Sequence, residues 1–415
     1  METDVAEFRT SLREWLGTHD LTPPAADGAG AAHSLDAQIA QLSRVRRALY
    51  EADWMRYGWP PEAGGLGGPA VLRAVLGEEV TARGLAEPGI YSMVEVLAPT
   101  MISYAAPALA AEMVPLLLSG AEQWCQGFSE PGSGSDLASL STRAVQRGGD
   151  WVVTGQKVWT SLAQYAQRCV LLTRTAPGHG GITAFFVDMD SPGITVRPLR
   201  TMHGVDEFAE VFFDEVVVPA GRMLGNPGDG WRVAMDLLPY ERSTCFWHRI
   251  AYLFTRLDRL VAAPAAIPDE AALGSAYLAL YTARCRSRET QRRLGAGEAL
   301  GPETSVDKIL LQSAEQQLYD TARELLPGVI ELPGVIELPG VIELPGAVEQ
   351  SDVSSERPGV SEQSDVSSER PGVSEQSSSP WRTEYLYSRA ATIYGGTAEI
   401  QRNIIARRLL DLGSD

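Results

Sequence analysis

The 415 residues carry a formal net charge of -18, with 44% hydrophobic and 21% charged residues, the balance of a globular chain able to bury the cores of two or three domains. That acidity argues against nucleic acid as a partner, because no basic stretch stands out, and no apolar run nears the ~18 residues that a membrane span needs. Cys125, Cys169, Cys245 and Cys285 have no paired spacing, which argues against a zinc site or disulfide framework, and the acidic start (Glu2, Asp4, Glu7) is no leader, so a cytoplasmic location is expected.

In chain order, Asp4 followed by Glu7 has the form of a capping box. Val5, Phe8, Leu12, Trp15 and Leu16 then recur at helical spacing, which predicts an opening amphipathic helix. Ser34 is placed to cap a second helix with Leu35, Ile39, Leu42, Val45 and Leu49 as its stripe. Ala- and Leu-rich stretches continue to about Ser119, so residues 1–120 read as a helical domain. The glycines at 64, 65, 67 and 68 follow no β-branched run and match neither GxGxxG nor a Walker pattern. They read as a flexible loop, which disfavours a Rossmann dehydrogenase.

Between 121 and 230 short β-branched and aromatic runs predict an antiparallel β domain: Trp151–Thr154, Val170–Thr173, Ile182–Val187, Ile194–Val196 and Val211–Val218, separated by Gly, Pro and Asp. Helical patterning returns over 231–327. It is interrupted at 328–379, where GVIELP occurs three times running and SDVSSERPGVSEQ twice, at 351–363 and 364–376. A proline every six residues cannot continue a helix and the Ser-rich unit has little to bury, so the segment reads as a disordered insertion, with docking of a partner as the alternative. Residues 380–415 resume the helical domain. Thr397 or the glycines before it would start a helix carrying Ile400, Ile404, Ile405 and Leu409, with its first N–H groups free to face a pyrophosphate.

The chemistry concentrates between Trp124 and Ser161. Ser129–Asp136 is a run of short hydroxyls and glycines that would expose backbone N–H groups to a polar ring edge. Trp159 offers a flat apolar face, and alternation puts Ser161 on its side of a strand. A flavin is one candidate, since its ring edge takes on charge when reduced and needs fixed donors.

FSEPGSGSD followed by TGQKVWTS resembles the flavin-binding region of the acyl-CoA dehydrogenase family. IYGGTAEIQRNIIARRLL (Ile393–Leu410) resembles its C-terminal signature and GWPPEAGGLGG (Gly58–Gly68) its N-terminal one. The resemblance implies an α+β fold with a helical N-terminal domain, a middle antiparallel β domain and a C-terminal helical bundle. It implies FAD as cofactor, and oxidation of the Cα–Cβ bond of an acyl-CoA to a trans-2-enoyl thioester. Electrons would pass to an electron-transfer flavoprotein, and the enzyme would be a homo- or hetero-oligomer, dimer or tetramer. By the same resemblance Phe128, Ser129, Trp159 and Ser161 would contact the isoalloxazine, and Thr397 and Glu399 the dinucleotide part of FAD. Ser135 would lie near the thioester or pantetheine, with Tyr394, Gly395 and Arg242 beside the substrate.

The best-known members carry their base as a Glu directly after the Tyr of the C-terminal signature, where this chain has Gly395. Other members carry it just after the β domain, in a motif ending Glu-Arg. Leu238-Pro239-Tyr240-Glu241-Arg242 matches that pattern, so Glu241 is the expected base. The bland alternative is a helix carboxylate paired with Arg242. Two departures stand out: the adenine-contacting Arg-x-x-Phe-Gly pattern is not recognisable, and the Gly-Gly-x-Gly segment expected after Leu326 is overwritten by the repeats. Arg293–Leu311 resembles actinobacterial members linked to steroid or polyketide acyl groups, some of which are built from two different subunits. Alternative readings are a dehydrogenase of carrier-protein-bound acyl groups, a flavin monooxygenase on the same fold, and a subunit of a hetero-oligomeric enzyme.

Overall fold

The computed structural model describes residues 4–23, 34–263, 269–326, 330 and 380–413. The chain opens with α1 (Val5–Thr18), whose N-cap Asp4 accepts from the Ala6 N–H, and α2 (Leu35–Glu51), capped by Ser34 through the Ala37 N–H. Phe8, Leu12 and Leu16 on α1 and Leu42, Val45 and Leu49 on α2 are buried, as the i, i+4 stripes require. Four further helices follow, α3 (Val71–Ala82), α4 (Pro88–Tyr91), α5 (Met93–Tyr104) and α6 (Pro107–Leu118).

The glycines read as a flexible loop instead close a bonded turn. Gly58 N–H donates to Gly67 O at 2.7 Å, and Gly67 N–H returns a bond to Trp59 O at 2.8 Å. A Cβ on Gly65 would fall 2.0 Å from Trp59 O, so only glycine allows the chain to cross itself there.

The strands are β1 (Trp124–Gly127), β2 (Arg143–Arg147), β3 (Asp150–Ser161), β4 (Arg168–Arg174), β5 (Ile182–Asp188), β6 (Ile194–Leu199), β7 (Phe208–Val218) and β8 (Met223–Leu224). They form one sheet in the order β6-β7-β3-β2-β4-β5-β8, with β1 attached to β4. Most pairings are antiparallel, but β1 runs parallel to β4 and β2 meets β4 in parallel at Arg143 and Arg174. The sheet is therefore mixed where an antiparallel one was expected. The β2–β3 hairpin stands in the connection between β1 and β4, and so long a crossover returns the chain in the same direction. Alternation sorts the sheet into two cores. Val170, Leu172, Ala184 and Phe186 face the N-terminal helices, while Cys169, Leu171, Phe185 and Val187 pack with Ala144, Val153 and Val211 on the other side.

After the sheet come α7 (Gly230–Glu241), α8 (Thr244–Ala262), α9 (Glu270–Gly295), α10 (Thr304–Leu325), α11 (Pro380–Ser388) and α12 (Ala398–Ile404). Val233, Ala234 and Leu237 of α7 join the core of the N-terminal helices and the sheet. Leu253, Leu257, Leu280, Leu311 and Leu318 make a separate core between α8, α9 and α10. The repeat segment lies outside the described residues except for Ile330, which is buried in this second core and accepts a bond from Arg382 Nε at 3.2 Å. Among the described residues no helix is long and apolar enough to cross a membrane.

Candidate active site between the sheet and the last helices

The Ser129 turn is fixed from beneath by a buried ion pair. Lys157, wholly buried on β3, reaches Glu130 at 2.8 Å and Phe128 O at 3.0 Å. Glu130 also accepts from Ser141 N–H and Oγ–H at 2.6 and 2.7 Å and from Thr142 N–H at 2.9 Å. Burial alone would push the Glu130 carboxyl up, but the Lys157 charge and these donors outweigh it and hold it at about 2. Burial in turn pushes the Lys157 ammonium down to about 8, against the pull of Glu130. Neither residue was singled out in the sequence, although period two from Trp151 and Val153 points Lys157 inward.

Val158 N–H donates to Ser129 O at 3.0 Å, which lays the turn against β3. Just beyond, the pairing of β3 with β7 shifts between Lys157 and Thr160, and Trp159 takes a φ of 60°. This bulge aims the Trp159 ring outward, 60% exposed, with the edge of Phe208 at 5.9 Å. Thr160 is buried, and its hydroxyl has no hydrogen-bond partner among the described residues. Ser161 and Ser129 are half-buried on either side, Phe128 is buried and Ser135 is exposed. An open indole face, a buried hydroxyl without a partner and a rigid turn of donors fit the aromatic ring and polar edge of a flavin.

Facing this turn is the carboxylate of Glu241, at the end of α7. It is half-buried, with Gln126 on β1, two residues before Phe128, close enough to act on it. Burial pushes its carboxyl above the usual range, opposed by the charges of Arg242 and Lys308 and by the neighbouring Gln126 amide. A Cβ built on Gly395 would lie 3.3 Å from Glu241 Oε1 and 3.6 Å from Lys308 Cε. The position where a base was missing in the sequence is thus filled in space by the carboxylate of α7.

The Gly395–Gly396 turn is itself held. Both glycines have left-handed φ, at 65° and 88°. Gly395 O accepts from Arg242 Nε at 2.9 Å and from Gln401 Nε2 at 3.0 Å. A Cβ on Gly396 would meet Gln401 Nε2 at 2.4 Å. Lys308 donates to Ala391 O and sits 4.4 Å above the Tyr394 ring, and burial pushes its ammonium down to about 8. Gln126, Lys308 and Gln401 were not anticipated. Only Lys308 left a trace in the sequence, falling in the inward stripe Thr304, Lys308, Leu311, Glu315 of α10.

Thr397 caps α12 through the Ile400 N–H at 3.3 Å. Glu399 points to solvent with its side chain 75% exposed and pairs with Arg402 at 3.5 Å. Glu241, Arg242, Tyr394 and Gly395 are therefore brought together with Lys308 and, through Gln126, with the Phe128 turn. Glu399 stands apart from that cluster.

The family profile described as acyl-CoA dehydrogenase, middle domain, matches residues 125–216, which spans this turn and the whole of β3. The chain is 33% identical to acyl-CoA dehydrogenase IpdE1 of Mycobacterium tuberculosis over 99% of its own length and 98% of that protein's. It is 43% identical to acyl-CoA dehydrogenase FadE34 of the same organism over 50% of this chain and 29% of the other. Among solved structures, the ChsE4–ChsE5 complex from Mycobacterium tuberculosis has the same fold, with a TM-score of 0.74 at 23% identity, covering 99% of this chain and 98% of that one. The Tcur3481–Tcur3483 steroid ACAD matches equally, at a TM-score of 0.74 and 23% identity over 99% of this chain and 97% of the other.

Proposed function

From the chain's membership of the acyl-CoA dehydrogenase family, and so its place among flavoprotein oxidoreductases, we propose that it oxidises the Cα–Cβ bond of an acyl-CoA to a trans-2-enoyl thioester with Glu241 as the base. The observation that carries this is the carboxylate of Glu241 beside the space that Gly395 leaves open. FAD, held by Phe128, Ser129, Trp159 and Ser161 with Thr397 toward its dinucleotide part, supplies an acceptor for the hydride that leaves Cβ. Glu241 takes the proton from Cα. Its raised basicity serves that step, since a carboxylate that titrates above the usual range removes a weakly acidic proton better than an ordinary one does. Gln126 stands beside the carboxylate, Arg242 and Gln401 hold the Gly395 carbonyl, and Lys308 keeps Tyr394 and the Gly-Gly turn against it. An electron-transfer flavoprotein is the proposed recipient of the electrons.

An oligomer is proposed on the strength of exposed apolar side chains at two places. Tyr277, Leu278 and Tyr281 on α9 are 47%, 62% and 50% exposed, and Ile393, Leu410 and Leu412 near the C-terminus 64%, 59% and 62%. The last group flanks α12, so a neighbouring subunit seated there would lie close to the candidate cofactor residues. The reading is tested by counting flavin per purified chain and titrating it anaerobically with acyl-CoA thioesters. Bleaching of about one FAD per chain supports a self-sufficient dehydrogenase, half-loading supports a subunit of a mixed oligomer, and a yellow protein that no thioester bleaches overturns the reading.

A further inference from the structure

Beyond Glu241 the wall of the site continues along α8. After the turn at Arg242 and Ser243, α8 carries Cys245 and Arg249 on successive turns of one face. Arg249 is the hub of a polar cluster, pairing with Glu315 at 2.7 Å, Glu384 at 2.8 Å and Glu87 at 3.5 Å. Glu384 also accepts from Tyr252 at 3.0 Å and Tyr319 at 2.9 Å. The Tyr394 hydroxyl lies 3.5 Å from Glu315, which joins the cluster to the Gly395 turn.

Two members of this region are left unmatched. The Glu207 carboxyl has His203 Nε2 at 3.9 Å as its nearest ion partner, and among the described residues neither it nor the Tyr387 hydroxyl makes a hydrogen bond. The two lie close together, each against His203. Tyr387 packs between His203 at 5.6 Å and Tyr394 at 5.9 Å, and Glu207 is the ionisable group coupled to it most strongly. Glu207 and Glu87 keep 19% and 30% of their side-chain surface accessible, so both carboxyls can be reached from outside the packed core.

We propose that Glu207 and Tyr387 form the far end of the acyl site and recognise a neutral oxygen, a hydroxyl or keto group, carried by the acyl portion of the substrate. A plain alkyl chain would strand both groups without a hydrogen-bond partner. A carboxylate would be repelled by Glu87 and Glu384. Burial, with the charge of Glu87 added and that of Arg249 opposed, pushes the Glu207 carboxyl up to about 8, so near neutral pH it is a protonated acid that both donates and accepts. The proposal rests on the dehydrogenase reading above and names the substrate class of that same site.

The experiment compares dodecanoyl-CoA with its ω-hydroxy counterpart on the full-length, flavin-loaded protein, by kcat/KM with an artificial electron acceptor and by calorimetric binding. The wild type is expected to favour the hydroxylated thioester about tenfold or more. Glu207→Leu and Tyr387→Phe are each expected to shrink that ratio several-fold through loss on the hydroxylated compound, with Tm recorded for both variants. Equal effects on the two thioesters, or a wild type that binds them alike, overturn the proposal. If neither is oxidised, the dehydrogenase reading fails for this class, and the binding ratio still decides the role of Glu207.

Discussion

Glu241 Oε1 lies 3.3 Å from the point that a side chain on Gly395 would first occupy, so two positions 154 residues apart in sequence compete for one place in the site. Glu241→Gln keeps the shape and removes the base. It is expected to lower the rate of flavin reduction by about 10²–10⁴-fold while leaving the flavin spectrum unchanged. Stopped-flow reduction under anaerobic conditions checks this, and retention of most of the rate would remove Glu241 from the chemistry. Moving the carboxylate by combining Glu241→Gly with Gly395→Glu should restore part of the rate, less than fully because residue 395 sits at a φ of 65°, which costs a non-glycine residue about 1 kcal/mol.

The same burial sets the pH profile. The Glu241 carboxyl titrates above the usual carboxylate value of 4.5, and only its ionised form can take a proton. kcat/KM should therefore fall as pH drops through a value above that range. Lys308→Met removes one of the cations that favour the ionised form, so the acidic limb should move to higher pH. Stability has the opposite sign. The stability that goes with a raised folded pKa is present below the unfolded value and is lost as pH rises through the folded one, so Glu241→Gln should raise Tm at pH 8 and lose that advantage near pH 4.

Lys157 and Glu130 are predicted to matter for the Ser129 turn as much as for overall stability. Lys157→Met strands a buried carboxylate, at about 3–5 kcal/mol, read as a lower urea midpoint with flavin content falling alongside. Adding Glu130→Gln removes the stranded charge and should recover much of the stability while flavin binding stays impaired, because Phe128 O and the turn lose their tether. Recovery of both together would reduce the pair to a purely structural one.

The elements that could be read from the sequence were those whose signal is local. The stripe on α1, the caps at Asp4, Ser34 and Thr397, and the runs that became β3, β4, β5, β6 and β7 each answer to spacing within one segment. β1 and β2 were not read, since Trp124–Gly127 and Arg143–Arg147 carry too few β-branched residues to stand out and owe their extension to partners far along the chain. In the site, Glu241 was found through its motif. Gln126, Lys308 and Gln401 escaped because a lone amide or lysine is unremarkable until the fold sets it beside a carboxylate or a glycine turn. Lys157, by period two, and Lys308, by its place in the inward stripe of α10, are the two that local spacing could have flagged.

Outside the site a close steric constraint links α3 and α8. His248 is wholly buried, its ring 5.5 Å from Tyr91, with Ser92 Oγ at 2.9 Å from Nδ1. Burial pushes its imidazole down to about 4, so it is neutral at physiological pH. A Cβ on Gly77 would lie 2.0 Å from His248 Nε2, and the ring is boxed in by Tyr91 and Ser92 and has nowhere to go. Gly77→Ala should therefore destabilise by about 1–3 kcal/mol, even though alanine is the better helix former by about 1 kcal/mol. Urea denaturation of the variant checks this. Pairing it with His248→Ala should relieve the clash, so that the double variant is more stable than the sum of the two single losses. Strict additivity would mean that α3 and α8 part freely.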